Sequence, residues 1–135
     1  MEFKMPLRVY MEDTDAGGIV FYVNYLKFFE RARTEYMREL GFHKAAFIDD
    51  SLMFVVTGLS TKYLRPAKLD EQLIVTATVI AATKVSIHFK QQVYRGNEVL
   101  CDGDVKLACV DKLSLKPKRM PEALLSVLNR KNNKV

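Results

Sequence analysis

Long hydrophobic runs are missing from this sequence. No apolar stretch approaches the ~20 residues a bilayer-spanning helix needs, and the opening MEFKMPLRVY lacks a signal-peptide hydrophobic region. A cytoplasmic protein without a transmembrane segment is therefore expected. Cysteine is scarce: Cys101 and Cys109 stand eight positions apart in a segment that reads as strand. In an extended strand they share a face at a separation of about 26 Å, far beyond disulfide reach, so both are expected to be reduced. No CxxC or Cys/His ligand spacing is present, and an EF-hand register starting at Asp13 fails because Asn24 stands where the bidentate Glu belongs. No metal and no cofactor are expected. GxSxG, P-loop and GxGxxG motifs are absent, as are helix-turn-helix, RNP-like and zinc-finger signatures, which argues against a nucleic-acid partner. The two histidines, His43 and His88, both lie away from the one concentration of acidic residues. Any catalysis must come from carboxylates, backbone donors or hydroxyls.

What is present is an ordinary globular balance: 49% hydrophobic residues, 27% charged and a net charge of +5. No repeat, low-complexity tract or Pro/Gly/Ser linker divides the chain, so residues 1–135 are expected to form one domain around one core. The charge is uneven. Lys112 to Val135 holds seven Lys or Arg against one acid, Glu122, with a basic tail at about 130–135. Such a segment can attract an anionic membrane face or an anionic small molecule, although a solvated terminus is the ordinary outcome.

Periodicity places one long helix before a run of strands. PLRVYMED suits a short strand. From an Asn24 N-cap, Tyr25, Phe28, Phe29, Ala32, Tyr36 and Leu40 recur at three and four residues, and Gly41 closes the helix. Sixteen helical residues span about 24 Å. Arg33 falls on the edge of the apolar sector, where it either snorkels, pairs with Glu30 or reaches a carboxylate across an interface. Strand patterns follow in MFVVTGLSTKYLRPA, in EQLIVTATVIAA, and in KVSIHFKQQVYR, where Val85, Ile87, Phe89, Gln91 and Val93 alternate. Gly96-Asn97 is a hairpin turn into EVLCDGDVKLACVD, and Pro121 starts a short closing helix. The class implied is α+β, an antiparallel sheet against a long helix, with sheet edges that invite a dimer.

The chemistry concentrates in YMEDTDAGGIVFYVNY, residues 10–25. Asp13 and Asp15 are two apart, so an extended chain puts them on one face about 6.6 Å apart, where their repulsion is on the order of 2.5 kcal/mol at an effective dielectric near 20. A partly desolvated carboxylate there is a competent general base or nucleophile. Gly17 and Gly18 allow positive φ and close approach of a ligand to the backbone. The helix N-terminus that follows offers unpaired N–H groups able to polarise a carbonyl. Together these are a minimal kit for acyl transfer to water.

The segment RVYMEDTDAGGIVFYVNYLKFFERARTEYMRELGF, residues 8–42, closely resembles the opening of the hotdog-fold acyl-CoA thioesterases of the 4-hydroxybenzoyl-CoA thioesterase type, most of all the branch associated with the bacterial Tol–Pal system. The similarity resumes at FVVTGLSTKYLRPAKLDEQL, where Pro66, Ala67 and Asp70 fit, and extends through KLACVD and LKPKRMP to about residue 121. The resemblance implies a hotdog fold, a long central helix wrapped by a curved antiparallel β-sheet, with two subunits sharing one continuous sheet and dimers pairing into tetramers. It implies hydrolysis of acyl-CoA to acid and CoA, with Asp15 as general base or nucleophile and the Tyr22 backbone N–H on the thioester oxygen. Asp13, Gly17, Gly18 and Asn24 would support the site. The Tol–Pal branch commonly has His where Tyr22 stands, whereas the 4-hydroxybenzoyl type has Tyr. Two other functions stay open: a hotdog hydratase or dehydratase, which would need a His-centred site, and a non-enzymatic module linked to the cell envelope that binds acyl thioesters or an acyl carrier protein.

Overall fold

A computed structural model describes residues 2–42 and 51–132, with side chains to residue 129. His43 and the residues after Asn132 lie outside the described segments. The chain runs through strand β1 (Phe3–Arg8), a 3-10 turn (Met11–Asp13), helix α1 (Asn24–Glu39), strands β2 (Leu52–Tyr63), β3 (Gln72–Ala82), β4 (Ser86–Arg95) and β5 (Glu98–Asp111), and helix α2 (Glu122–Asn132). The five strands form one antiparallel sheet in the order β1-β3-β4-β5-β2. Register shifts at Val56/Gly58 in β2 and Val79/Ala81 in β3 interrupt the ladders, and such bulges bend and twist a sheet.

The helix forms where its apolar stripe demands. Tyr25, Phe28, Phe29, Ala32, Tyr36 and Met37 are all buried against the sheet, and Phe28, Phe29 and Ala32 are wholly inaccessible. The strands answer with Leu73, Val75, Ala77, Ile87, Phe89, Val93 and Val105. Helix α1 stops as expected at Gly41, whose φ is +97°. The Phe42 N–H returns to the Met37 carbonyl and the Gly41 N–H to that of Arg38, the two bonds of a Schellman ending. Its start differs from the sequence expectation. Asn24 is already helical and Val23 holds the cap position with no side-chain bond. The N-terminal strand is also displaced: β1 ends at Arg8, and Met11–Asp13 turns as 3-10 helix instead of extending.

Helix and sheet meet most closely at Gly103 in β5. A Cβ there would lie 2.7 Å from Cε2 and 3.1 Å from Cζ of Phe29, so only glycine admits the ring. Both cysteines are buried in β5. Burial pushes the Cys101 thiol up to about 12, leaving it inert at neutral pH.

Candidate active site

The acidic turn lies at the end of the sheet where β1 finishes and α1 begins. Its two aspartates part company. Asp13 is 4% exposed and its carboxylate is fully engaged: one oxygen accepts the Tyr10 N–H at 2.9 Å, the other accepts Asn24 Nδ2 at 3.0 Å. The Asp13 carbonyl also accepts the Phe21 N–H. Asp13 therefore pins the 3-10 turn to the first residue of α1, and this is why Asn24 does not cap the helix itself. Asp15 is exposed, and its Oδ1 accepts the Gly17 N–H at 2.9 Å in an Asx turn. The expected repulsive pair on one face is thus absent, because the 3-10 turn rotates Asp13 inward while Thr14 resumes extended backbone. Glu12 points to solvent.

Both glycines contribute, each differently. A Cβ on Gly17 would stand 3.3 Å from Asp15 Oδ1, so its small size keeps the carboxylate accessible from that side. Gly18 takes φ +78°, closing a narrow hairpin in which the Asp15 N–H donates to Ile19 and the Gly18 N–H to Asp15.

That hairpin is tied to the loop after β2. The Val20 N–H donates to Ala67, the Leu69 N–H to Gly18 and the Asp70 N–H to Val9, at 2.8–3.1 Å. The Tyr25 hydroxyl accepts the Ala67 N–H at 3.0 Å. Asp70 sits at φ +70°, and its carbonyl accepts Arg8 Nη1 at 2.7 Å. Residues 65–71 are therefore the brace of the acidic turn, which gives the second stretch of family-like sequence a physical role.

Beyond the hairpin the chain enters α1 through Phe21, Tyr22 and Val23. The Asn24 N–H bonds back to Phe21, but neither the Tyr22 nor the Val23 N–H has an acceptor among the described residues. Unpaired donors at a helix entrance carry the partial positive end of its dipole. The Tyr22 ring is 59% exposed and contacts Tyr63 edge-on at 6.0 Å, while Tyr63 also packs on Tyr25 at 5.5 Å. This aromatic wall joins the helix entrance to the end of β2. Nothing in the local spacing of Tyr63 announced it.

Arg33 lies farther along α1 and finds a neutral partner. Its Nη1 donates to Gln91 Oε1 at 2.9 Å, not to Glu30, and burial lowers the guanidinium pKa. Gln91 is wholly buried and donates to the carbonyls of Phe29 and Thr76 at 3.0 and 3.1 Å, tying helix, β3 and β4 together. Its place in the inward alternation of β4 was the available signal. A half-open cavity of about 210 Å³ opens beside Arg33, lined in part by Met37, Phe54, Ile87 and Phe89. His88 is remote from the turn, on the outer sheet face, with its Nε2 3.0 Å from Asp104.

With this geometry in hand, the likenesses to known proteins are specific. Residues 9–128 match the thioesterase-like superfamily. An acyl-CoA thioesterase YbgC of Haemophilus influenzae is 45% identical over 121 residues, 89% of each chain. An acyl-CoA thioester hydrolase YbgC of Escherichia coli is 37% identical over 125 residues, 92% of this chain and 93% of that one. Among solved structures, one described as a probable thioesterase from Bartonella henselae superposes with TM-score 0.79 at 32% identity, over 89% of this chain and 98% of its own.

Proposed function

This chain belongs to the thioesterase-like superfamily and has the hotdog fold, and from that membership we propose how it works as an acyl-CoA thioesterase. It is a thioester hydrolase, and acyl-CoA is the substrate class that its relatives carry in their names. The observation that carries the mechanism is the loop from Thr14 to Val23: one accessible carboxylate, Asp15, on a hairpin braced by residues 65–71, followed by two N–H groups without acceptors among the described residues.

In the proposed reaction the thioester oxygen accepts the Tyr22 N–H, and the helix dipole favours the charge that develops there. Asp15 takes a proton from water as the water oxygen bonds to the carbonyl carbon, or attacks that carbon directly. By the first route the carbon–sulfur bond then breaks, the acid leaves, and the proton held by Asp15 passes to the CoA sulfur. By the second, the same bond breaks to leave a mixed anhydride on Asp15, which water hydrolyses to the acid and the free carboxylate, a proton from that water ending on the CoA sulfur. Gly17 and Gly18 leave room for the substrate beside the backbone. Asp13 and Asn24 are positioning residues, since both are buried and engaged with each other. No step calls for a metal.

The site is open in a single protomer, with Asp15, Phe21 and Tyr22 all exposed. A second copy of the chain would wall it from water, and the sheet favours such a copy. The β1 edge carries exposed Lys4, Pro6 and Arg8, which discourage pairing, while the twelve-residue β2 edge exposes Val56, Leu59 and Tyr63. A homodimer joined along β2, able to pair again into a tetramer, is the proposed assembly.

The direct test is release of free thiol from acyl-CoAs of graded chain length, aromatic ones included. Turnover on at least one member is expected. Tight acyl-CoA binding with no thiol release across the panel would overturn the catalytic assignment and favour a binding module.

A further inference from the structure

The connection from β5 to α2 lies at the other end of the sheet from Asp15, beside the β3–β4 turn, where the Met120 N–H donates to the Lys84 carbonyl at 2.9 Å. Its sequence, KLSLKPKRMP, puts two leucines among basic residues. Leu113 is 94% exposed and Leu115 is 59% exposed. Their exposure is built, not slack. The Asp111 carboxylate accepts the N–H groups of Leu113 at 3.1 Å and Ser114 at 2.8 Å. The Leu115 N–H returns to the Asp111 carbonyl, the Asp111 N–H to Lys116, and the Lys118 N–H to Cys109, at 2.8–3.0 Å. Leu115 takes φ +62°, a left-handed conformation that glycine or asparagine adopts at lower cost. A leucine held there with more than half of its surface exposed gains little from packing inside its own protomer. Strain of this kind points toward a function outside the fold.

The charges around the tip have one sign in excess. Among the described residues, Lys84, Lys112, Lys116, Lys118 and Arg119 stand beside two acids, Asp111 and Glu122, and Asp111 is already engaged by the loop backbone. Lys118 pairs with Asp111 at 3.6 Å and Arg119 with Glu122 at 3.9 Å, both on the solvent-facing surface where such pairs are weak. Residues 112–119 are all exposed, so aliphatic side chains and cations share one surface. A bilayer interface offers acyl chains to the first and phosphates to the second, and accepts isolated tips without a preformed pocket. A protein partner would need a socket for each leucine. No helix among the described residues is long and apolar enough to cross a membrane, so attachment here would be peripheral.

We propose that residues 112–119 are a docking tip for an anionic phospholipid surface, with Leu113 and Leu115 entering the interface and Lys116, Lys118 and Arg119 meeting the phosphates. The tip is remote from the acidic turn of its own protomer, so docking and hydrolysis can be measured separately.

The test is sedimentation of the full chain with vesicles of phosphatidylglycerol and phosphatidylcholine, and with phosphatidylcholine vesicles alone. Partition is expected onto the anionic vesicles, weakening at 0.5 M salt and at least tenfold lower on phosphatidylcholine. Leu113→Ser with Leu115→Ser should reduce partition about tenfold or more while thiol release from soluble acyl-CoA stays unchanged. Leu115→Gly should raise Tm, because strain is relieved, and still weaken partition, which separates docking from folding. Three results would overturn the proposal: no wild-type partition, partition undiminished in the serine variant, or retention on immobilised polyglutamate without vesicle binding, which would assign the tip to an acidic protein.

Discussion

Asp13 and Asp15 carry the same side chain two residues apart, and their surroundings divide the work. Asp13 is sealed in with two donors, Asp15 stands in the open with one, and only the open carboxylate can meet a substrate. The division can be tested at Asn24. Replacing it with alanine leaves one oxygen of a buried carboxylate without its donor, which costs about 1–3 kcal/mol. Urea unfolding should show that loss, and far-UV circular dichroism an unchanged fold; a midpoint equal to that of wild type would refute the bond's role. From sequence, the turn that carries Asp15 was legible because Gly18 has a conformational reason, its φ of +78°. The partnership of Asp13 with Asn24 was not, because alternate spacing assumes an extended chain, and the 3-10 turn at Met11–Asp13 breaks that assumption.

Elements were legible to the degree that their own periodicity carried them. Helix α1 was, down to its glycine ending, and so were β3, β4 and β5 with the Gly96-Asn97 turn between the last two. The order β1-β3-β4-β5-β2 was not, because it depends on which apolar faces meet across the whole chain. Nor was the partner of Arg33, since Gln91 lies 58 positions away and alternation shows only that it points inward. Gly103 belongs to the same class: in sequence it is one small residue within a strand, and in the fold it is the floor under Phe29. Gly103→Ala is expected to destabilise the protein by about 1–3 kcal/mol through overpacking. Thermal unfolding would measure it. Phe29→Leu in the same background should recover part of the loss, which a merely conformational effect of alanine in a strand would not allow.

At the scale of the molecule, one sheet edge is protected by Lys4, Pro6 and Arg8, and the other presents Val56, Leu59 and Tyr63. The turn proposed as catalytic is exposed in the protomer, and the proposed dimer would use that second edge to cover it. Val56→Lys with Leu59→Lys should shift the chain from dimer, or tetramer, to monomer in light scattering after size exclusion, and thioester turnover should fall with it; an unchanged mass would place the interface elsewhere. In the proposed mechanism, fold and assembly together hold one carboxylate and one set of backbone donors against a thioester carbon. The most direct measurement of that claim is thiol release by Asp15→Asn on the best acyl-CoA of the panel, with Tm as a control. A fall of at least a hundredfold in kcat with Tm near that of wild type is predicted, and turnover undiminished in the folded variant would contradict the account.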